Sequence, residues 1–136
     1  MTTLALIRAY YDAFNAGDFA TMIELLTEDV AHDINQGVRQ IGRAQFARFM
    51  AQMDACYSER LEQIVILSDA SGGRAAAEFV VHGTYKATGE GLPAASGRTY
   101  VLPAGAFFEV RDGRIARVTN YYNLQDWLGQ VSAARG

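Results

Sequence analysis

Apolar residues recur at helical spacing from the start of the chain. Ile7, Tyr10, Tyr11 and Phe14 stand at i, i+3, i+4 and i+7, which predicts a helix over residues 3 to 16 with one apolar face. Phe19, Met22, Ile23 and Leu26 repeat that spacing in a shorter second helix. Between them, Asn15-Ala16-Gly17-Asp18 supplies a stop and a start. Gly17 can take the left-handed conformation that closes a helix, and the Asp18 carboxylate can accept from the next helix's free N–H groups. Val30 to Ile34 alternates and is short, so it predicts a strand. Asn35-Gln36-Gly37 has hairpin-turn chemistry, with Val38 to Ile41 as the return strand. Gly42 interrupts the chain before a third helix, in which Phe46, Phe49, Met50, Met53 and Tyr57 share a face.

Beyond Tyr57 the period falls to two. Leu61 to Leu67 predicts a strand that ends in the polar turn Ser68 to Gly73. Arg74 to Thr88 predicts a long strand with Ala75, Ala77, Phe79, Val81, Gly83 and Tyr85 on one face. A glycine-containing loop, Gly89 to Gly97, leads into Thr99 to Arg111. Asp112-Gly113 is a tight hairpin signal, Arg114 to Tyr122 its return strand, and Leu124 to Val131 a short closing helix. Helices followed by an antiparallel meander place the chain in the α+β class, with the sheet curling around the helices. The 136 residues are expected to form one domain, 1–136, without linker or repeat.

Composition acts mainly by exclusion. Net charge is −3 and the basic residues are scattered, Arg39, Arg43 and Arg48 included, so solvated faces are expected and no nucleic acid. A single cysteine, Cys56, with only His32 and His82 beside it, gives neither a disulfide framework nor a zinc ligand set. No metal is expected. No apolar run reaches membrane-spanning length, and the chain enters its first helix without a signal peptide's basic start. No membrane partner and a cytoplasmic location are therefore the expectations. Phosphate-cradling glycine loops, nucleophile elbows and cysteine–histidine catalytic signatures are missing, and no cofactor is expected. Seven tyrosines and seven phenylalanines suggest an aromatic lining to a core or cavity.

The opening Ala9-Tyr10-Tyr11-Asp12-Ala13-Phe14-Asn15-Ala16-Gly17-Asp18, with Glu28-Asp29-Val30 after the second helix, resembles that of the ketosteroid-isomerase-like proteins, also called nuclear-transport-factor-2-like or SnoaL-like. The order of elements agrees over nearly the whole chain. His32 to Gly37, Cys56-Tyr57, Ala77-Glu78-Phe79, Leu102 to Phe108 and Tyr121 to Leu124 look like the bacterial group labelled steroid-isomerase-related. The resemblance implies three N-terminal helices packed on a strongly curved, mainly antiparallel sheet around a cone-shaped cavity. It also implies a small hydrophobic ligand and a homodimer formed through a free sheet face.

Three clusters could carry chemistry. Tyr10 stands five residues before Asn15, where the resemblance implies a phenol that donates to a developing oxyanion; a helix tyrosine that simply packs its ring is the alternative. The family's base is a carboxylate on the first strand. A gapless match from Asp18 puts Ile34 at that position, and alternation sends Val30, His32 and Ile34 to one face and Asp33 to the other. A bulge near the turn would rotate Asp33 inward as a base of raised pKa tuned by His32; otherwise Asp33 and Asn35 cap the turn. The third cluster is Tyr100, Asn120, Tyr121 and Tyr122, with Glu78 and His82 assigned to solvent or a dimer face. The isomerases' second oxyanion donor falls on Ala106 in the match, so Asn120, facing inward beside Tyr122, would supply an amide instead. Tyr57 and Phe108 are expected pocket walls. The expected function is a cofactor-independent isomerase, lyase or hydratase that moves a proton on a small hydrophobic carbonyl compound. Asp33 would be the base, and Tyr10 and Asn120 would polarise the carbonyl. Genuine 3-oxosteroid isomerase activity is not expected, since two of its three defining residues are displaced or absent. The other class is a non-catalytic small-molecule-binding or dimerisation module, between which and an enzyme the fold does not choose.

Overall fold

The structure is a computed structural model that describes residues 1–132. Helix α1 (Thr3–Asn15) begins at Thr2, whose hydroxyl oxygen accepts from the Ala5 N–H at 3.1 Å. Gly17, with φ of 71°, ends it, and the Asp18 carboxylate accepts from the Thr21 N–H at 3.2 Å to start α2 (Phe19–Glu24). Strand β1 (Leu26–Asp33) begins at Leu26, which the helical spacing had assigned to α2. The carbonyls at that early stop are taken by Arg43, whose guanidinium donates to Leu26 O at 2.7 and 3.0 Å and to Glu24 O at 3.3 Å. Arg43 is thus a structural cap, not a residue of a solvated face.

A short strand β2 (Arg39–Ile41) and helix α3 (Arg43–Cys56) follow, and then the four long elements β3 (Tyr57–Ser68), β4 (Arg74–Tyr85), β5 (Thr99–Arg111) and β6 (Arg114–Tyr122), closed by α4 (Leu124–Val131). Three helices precede β3, but the β1–β2 hairpin separates α3 from the first two. Tyr57 does not lie on the face of α3. It opens β3, so the chain passes from helix to strand with no connecting loop. The six strands form one curved sheet in the order β2-β1-β6-β5-β4-β3, antiparallel throughout except for the β1–β6 pair, which is parallel.

The core lies between the helices and the concave face of this sheet. In β4 each alternate residue from Ala75 to Tyr85 is buried, and its partners in β5, from Phe108 to Tyr100, complete the apolar wall. Helix α1 lays Tyr10 and Tyr11 edge-on against Phe108, with ring centroids 5.7 and 6.0 Å apart, and Tyr11 also meets Phe79 at 5.2 Å. Aromatic contacts of this kind add about 0.5–1.5 kcal/mol each beyond the area they bury.

Side-chain amides tie the helices and the turn to the sheet. Asn15 Nδ2 donates to Leu61 O at 2.9 Å while its Oδ1 accepts from Leu61 N at 2.8 Å, in the manner of a strand partner for β3. Gln130 of α4 treats Val101 of β5 the same way, with both bonds at 2.9 Å. Asn35 bonds the backbone of Tyr122 in both directions, at 2.9 and 3.3 Å. It therefore holds the end of β6 and does not cap its own turn. Asn15→Ala removes two partly buried hydrogen bonds and leaves the Leu61 groups unpaired. A loss of about 1 to 3 kcal/mol in unfolding free energy is expected from urea titration, and an unchanged midpoint would show that the clamp carries no stability.

Candidate functional site

β1 carries the decisive pair of neighbours. His32 pairs in register with Val118 of β6 and points into the concave face, where it is 1% exposed. Its ring lies between Phe46 and Phe49 of α3, with centroids 4.6 and 4.7 Å away. Nε2 is 3.5 Å from Asn120 Nδ2, and Nδ1 is buried without a partner. An amide nitrogen can only donate, so this orientation of Asn120 makes Nε2 the acceptor and puts the ring proton on Nδ1. Burial among aromatic rings holds the imidazole at a pKa of about 4, opposed by the charge of Asp33. The ring is therefore neutral at physiological pH with its lone pair directed along the inner wall.

Asp33 lies on the opposite face. No bulge rotates it inward: it continues the register with Arg39 of β2 and Thr119 of β6. Arg39 Nε donates to Oδ1 at 2.6 Å and Arg39 Nη2 to Oδ2 at 3.0 Å, and Thr119 Oγ1 donates to Oδ2 at 2.6 Å. Arg117 extends this outer lattice by donating to Thr119 Oγ1 at 2.6 Å and to Glu109. The Arg39 bond, then the Thr119 bond, hold the Asp33 carboxyl at a pKa of about 2 against partial burial. The inward, raised-pKa carboxylate anticipated for this position is thereby corrected, because charge pairing wins over burial and the alternation from Val30 to Asp33 is unbroken.

Most of the remaining candidates fall on the inner face. Tyr10 and Phe108 are buried against one another in the middle of the wall. Burial raises the Tyr10 phenol well above its ordinary value, so it remains a proton donor. Asn120 is half-buried beside His32, and Tyr122, two residues on, stands 37% exposed at the end of β6. Tyr57, half-buried, stacks on Tyr85 at 5.5 Å. Tyr100 is buried inside, whereas Tyr121, Glu78 and His82 face out. The wall also holds residues that the sequence did not single out. The Tyr11 hydroxyl is buried without a partner beside Tyr10, and its place on the apolar stripe of α1 was the available signal. Glu59 escaped notice because the expected helix and strand left residues 58 to 60 without a face. Among the described residues no His, Cys, Asp and Glu side chains gather in a group of three or more able to hold a metal ion, and no helix is long and apolar enough to cross a membrane.

The buried imidazole has a thermodynamic signature. Unfolded, His32 takes a proton near 6.5; folded, only near 4. Between those values the unfolded state binds more protons, so this group's contribution to stability is intact above pH 6.5 and lost as pH falls towards 4. The difference in unfolding free energy between wild type and His32→Gln, measured by urea titration, is expected to shift against the wild type over that window. A difference that stays flat with pH would refute a buried neutral ring.

Comparison with known proteins agrees with this architecture. The SnoaL-like domain family matches residues 7–118. A crystal structure of a proposed polyketide cyclase from Pseudomonas putida KT2440 is 63% identical, with a TM-score of 0.96, covering 97% of this chain and 99% of the other. A second, from Xanthomonas campestris pv. campestris, is 59% identical with a TM-score of 0.93 and covers 96% of each chain. An epoxide hydrolase from M. tuberculosis shares the fold alone, at 18% identity and a TM-score of 0.70 over 95% of this chain and 88% of that one. None of the curated proteins matches the chain. With a family match over most of its length, and with helices packed on the concave face of a six-stranded sheet, the chain belongs to the SnoaL-like domain family.

Proposed function

We propose that the chain is a small-molecule isomerase or cyclase that works by proton transfer on a hydrophobic carbonyl compound, with His32 as the base. The observation that carries this reading is the neutral imidazole on the inner face, its Nε2 directed at the Asn120 amide. A base must be unprotonated and within reach of the proton it removes, and a ring at pKa about 4 is unprotonated throughout the physiological range. The Asp33 carboxylate is unprotonated too, but its oxygens are engaged by Arg39 and Thr119 on the other side of the sheet.

In this mechanism the ligand carbonyl displaces the long Asn120–His32 contact and accepts from the amide. Nε2 takes a proton from the adjacent carbon, and the C–H electron pair passes into an enolate whose oxygen is met by the Asn120 and Tyr10 donors. Such donors matter most where charge develops. Return of the proton to another carbon isomerises the compound. Attack of the enolate carbon on a second carbonyl of the same molecule closes a ring, and the imidazolium then protonates the new alkoxide. The two close relatives described as proposed polyketide cyclases support the second outcome. The test is NMR-detected exchange of α-protons for deuterium in 2-tetralone. Wild type is expected to accelerate it, His32→Gln to lose about 10²-fold or more of that rate, and Asp33→Asn to stay within about threefold. The reverse ranking of the two variants would overturn the assignment. Binding of the ketone without exchange would favour the non-catalytic module.

The partner in this reading is a second copy of the chain on the outer face of β3 to β6. There Val65, Leu67, Val101, Phe107 and Tyr121 are each at least half exposed, and several of them line a groove of about 540 Å³. Contiguous exposed apolar surface of this kind marks an interaction site. Gel filtration is expected to show a dimer for wild type and a monomer for Phe107→Arg; a monomeric wild type at micromolar concentration would remove the dimer.

A further inference from the structure

The inner face carries a carboxylate that the proton-transfer mechanism above does not use. On β3, β4 and β5 the acids Glu62, Glu78 and Glu109 lie on the outer face, but Glu59 pairs in register with the buried Gly83 and therefore points inward. Gly83 is in turn opposite Tyr100 of β5. Any Cβ at residue 83 would overlap the Tyr100 ring, so the missing side chain is what lets the phenol lie across β4. Tyr100 Oη reaches β3 through that gap and donates to Glu59 Oε2 at 2.6 Å. Trp127 of α4 packs edge-on to Tyr57, Tyr85 and Tyr100, with centroids 5.9, 5.1 and 6.1 Å away, and fixes the rings around the carboxylate. Three strands and a helix thus combine to aim one acid.

Glu59 is only half-buried, and its second oxygen accepts no hydrogen bond among the described residues. After burial, its charge is among the influences that raise the phenols of both Tyr57 on its own strand and Tyr122 at the end of β6. β3 and β6 are separated in the sheet by β4 and β5. Burial raises the acid's own pKa, and the Tyr100 bond restrains the rise.

We infer that Glu59 contacts the bound compound, with Tyr100 holding one carboxylate oxygen while the other accepts a hydrogen bond from a ligand hydroxyl. This rests on the proton-transfer reading and sharpens its substrate class: a hydroxylated carbonyl compound, its carbonyl at His32 and Asn120 and its hydroxyl at Glu59. A purely structural Glu59 would serve only to accept the Tyr100 hydrogen bond, a task that glutamine performs equally well. The ligand role needs an acceptor on the second atom as well, and glutamine presents an N–H there instead.

Isothermal titration calorimetry of the intact protein with 2-naphthol and with 2-methoxynaphthalene separates the two. The probes share a bicyclic skeleton, and only the first donates a hydrogen bond. Wild type is expected to bind 2-naphthol about tenfold more tightly, as a charge-assisted bond warrants, and Glu59→Gln to lose or reverse that preference while it binds 2-methoxynaphthalene as wild type does. Equal affinity of wild type for the two probes overturns the inference without recourse to any variant. So does a preference that survives in Glu59→Gln, or a failure of both probes to bind. In each of these cases the deuterium exchange of 2-tetralone and its loss in His32→Gln report separately on the proton-transfer reading.

Discussion

The two-residue period of the long strands is the constraint on which the rest of this molecule depends. β4 buries each alternate side chain from Ala75 to Tyr85 without interruption, and β5 matches it residue for residue. A slip of one position would carry Phe79, Val81 and Tyr85 to the outside and leave Tyr10 and Tyr11 of α1 with nothing to pack on. The same period sorts the chemistry. His32, Glu59 and Asn120 share the concave face with the aromatic rings, while Asp33, Thr119, Arg117 and Glu109 form a charged lattice on the other. Adjacent residues in sequence thus answer to different solvents, one to packed hydrocarbon and one to water.

That sorting explains why two neighbouring groups have their proton affinities depressed for unrelated reasons. His32 loses affinity because its protonated form has nothing to solvate it between Phe46 and Phe49. Asp33 loses affinity because its ionised form is clasped by a guanidinium. Only the first arrangement leaves a lone pair unengaged by a strong donor, and so only the first suits a base. The amide clamps answer the complementary problem. A helix packed on a sheet usually meets it through apolar contacts alone, which fix distance but tolerate sliding. Asn15 on Leu61 and Gln130 on Val101 each make a matched pair of directional bonds. They fix where α1 and α4 stand along the strands, and hence where Tyr10 and Trp127 point.

Much of this was legible in the residues. The stripe Ile7, Tyr10, Tyr11, Phe14 and the alternation from Ala75 to Tyr85 are long, regular patterns, and both gave the right element and the right buried face. The opposition of His32 and Asp33 followed from alternation as well; it was the possibility of a bulge, not the pattern, that pointed the other way. The errors cluster where one element passes directly into another. Leu26 and Tyr57 each fit a helical stripe yet open a strand, since the helix before them ends on tertiary contacts such as the Arg43 cap, which local spacing does not contain. Glu59 fell in the second of these junctions. Arg43 was read as solvated because its partner, the Leu26 carbonyl, is brought to it by α3, whereas Arg39 is exposed as expected, and its pairing with Asp33 comes from the hairpin.

A β-sheet is a single chain thick, and the charge of Asp33 acts on the His32 ring through it, raising the proton affinity that burial lowers. The sheet is therefore a poor insulator between the two sides it separates. The Arg39–Asp33 pair stands 53% and 25% exposed on the outer face of the sheet. Whatever screens, neutralises or covers that pair, whether salt or an opposing protein surface, reaches the imidazole from behind. The acid–base character of the interior is in part an exterior property, adjustable without a single contact to the ligand.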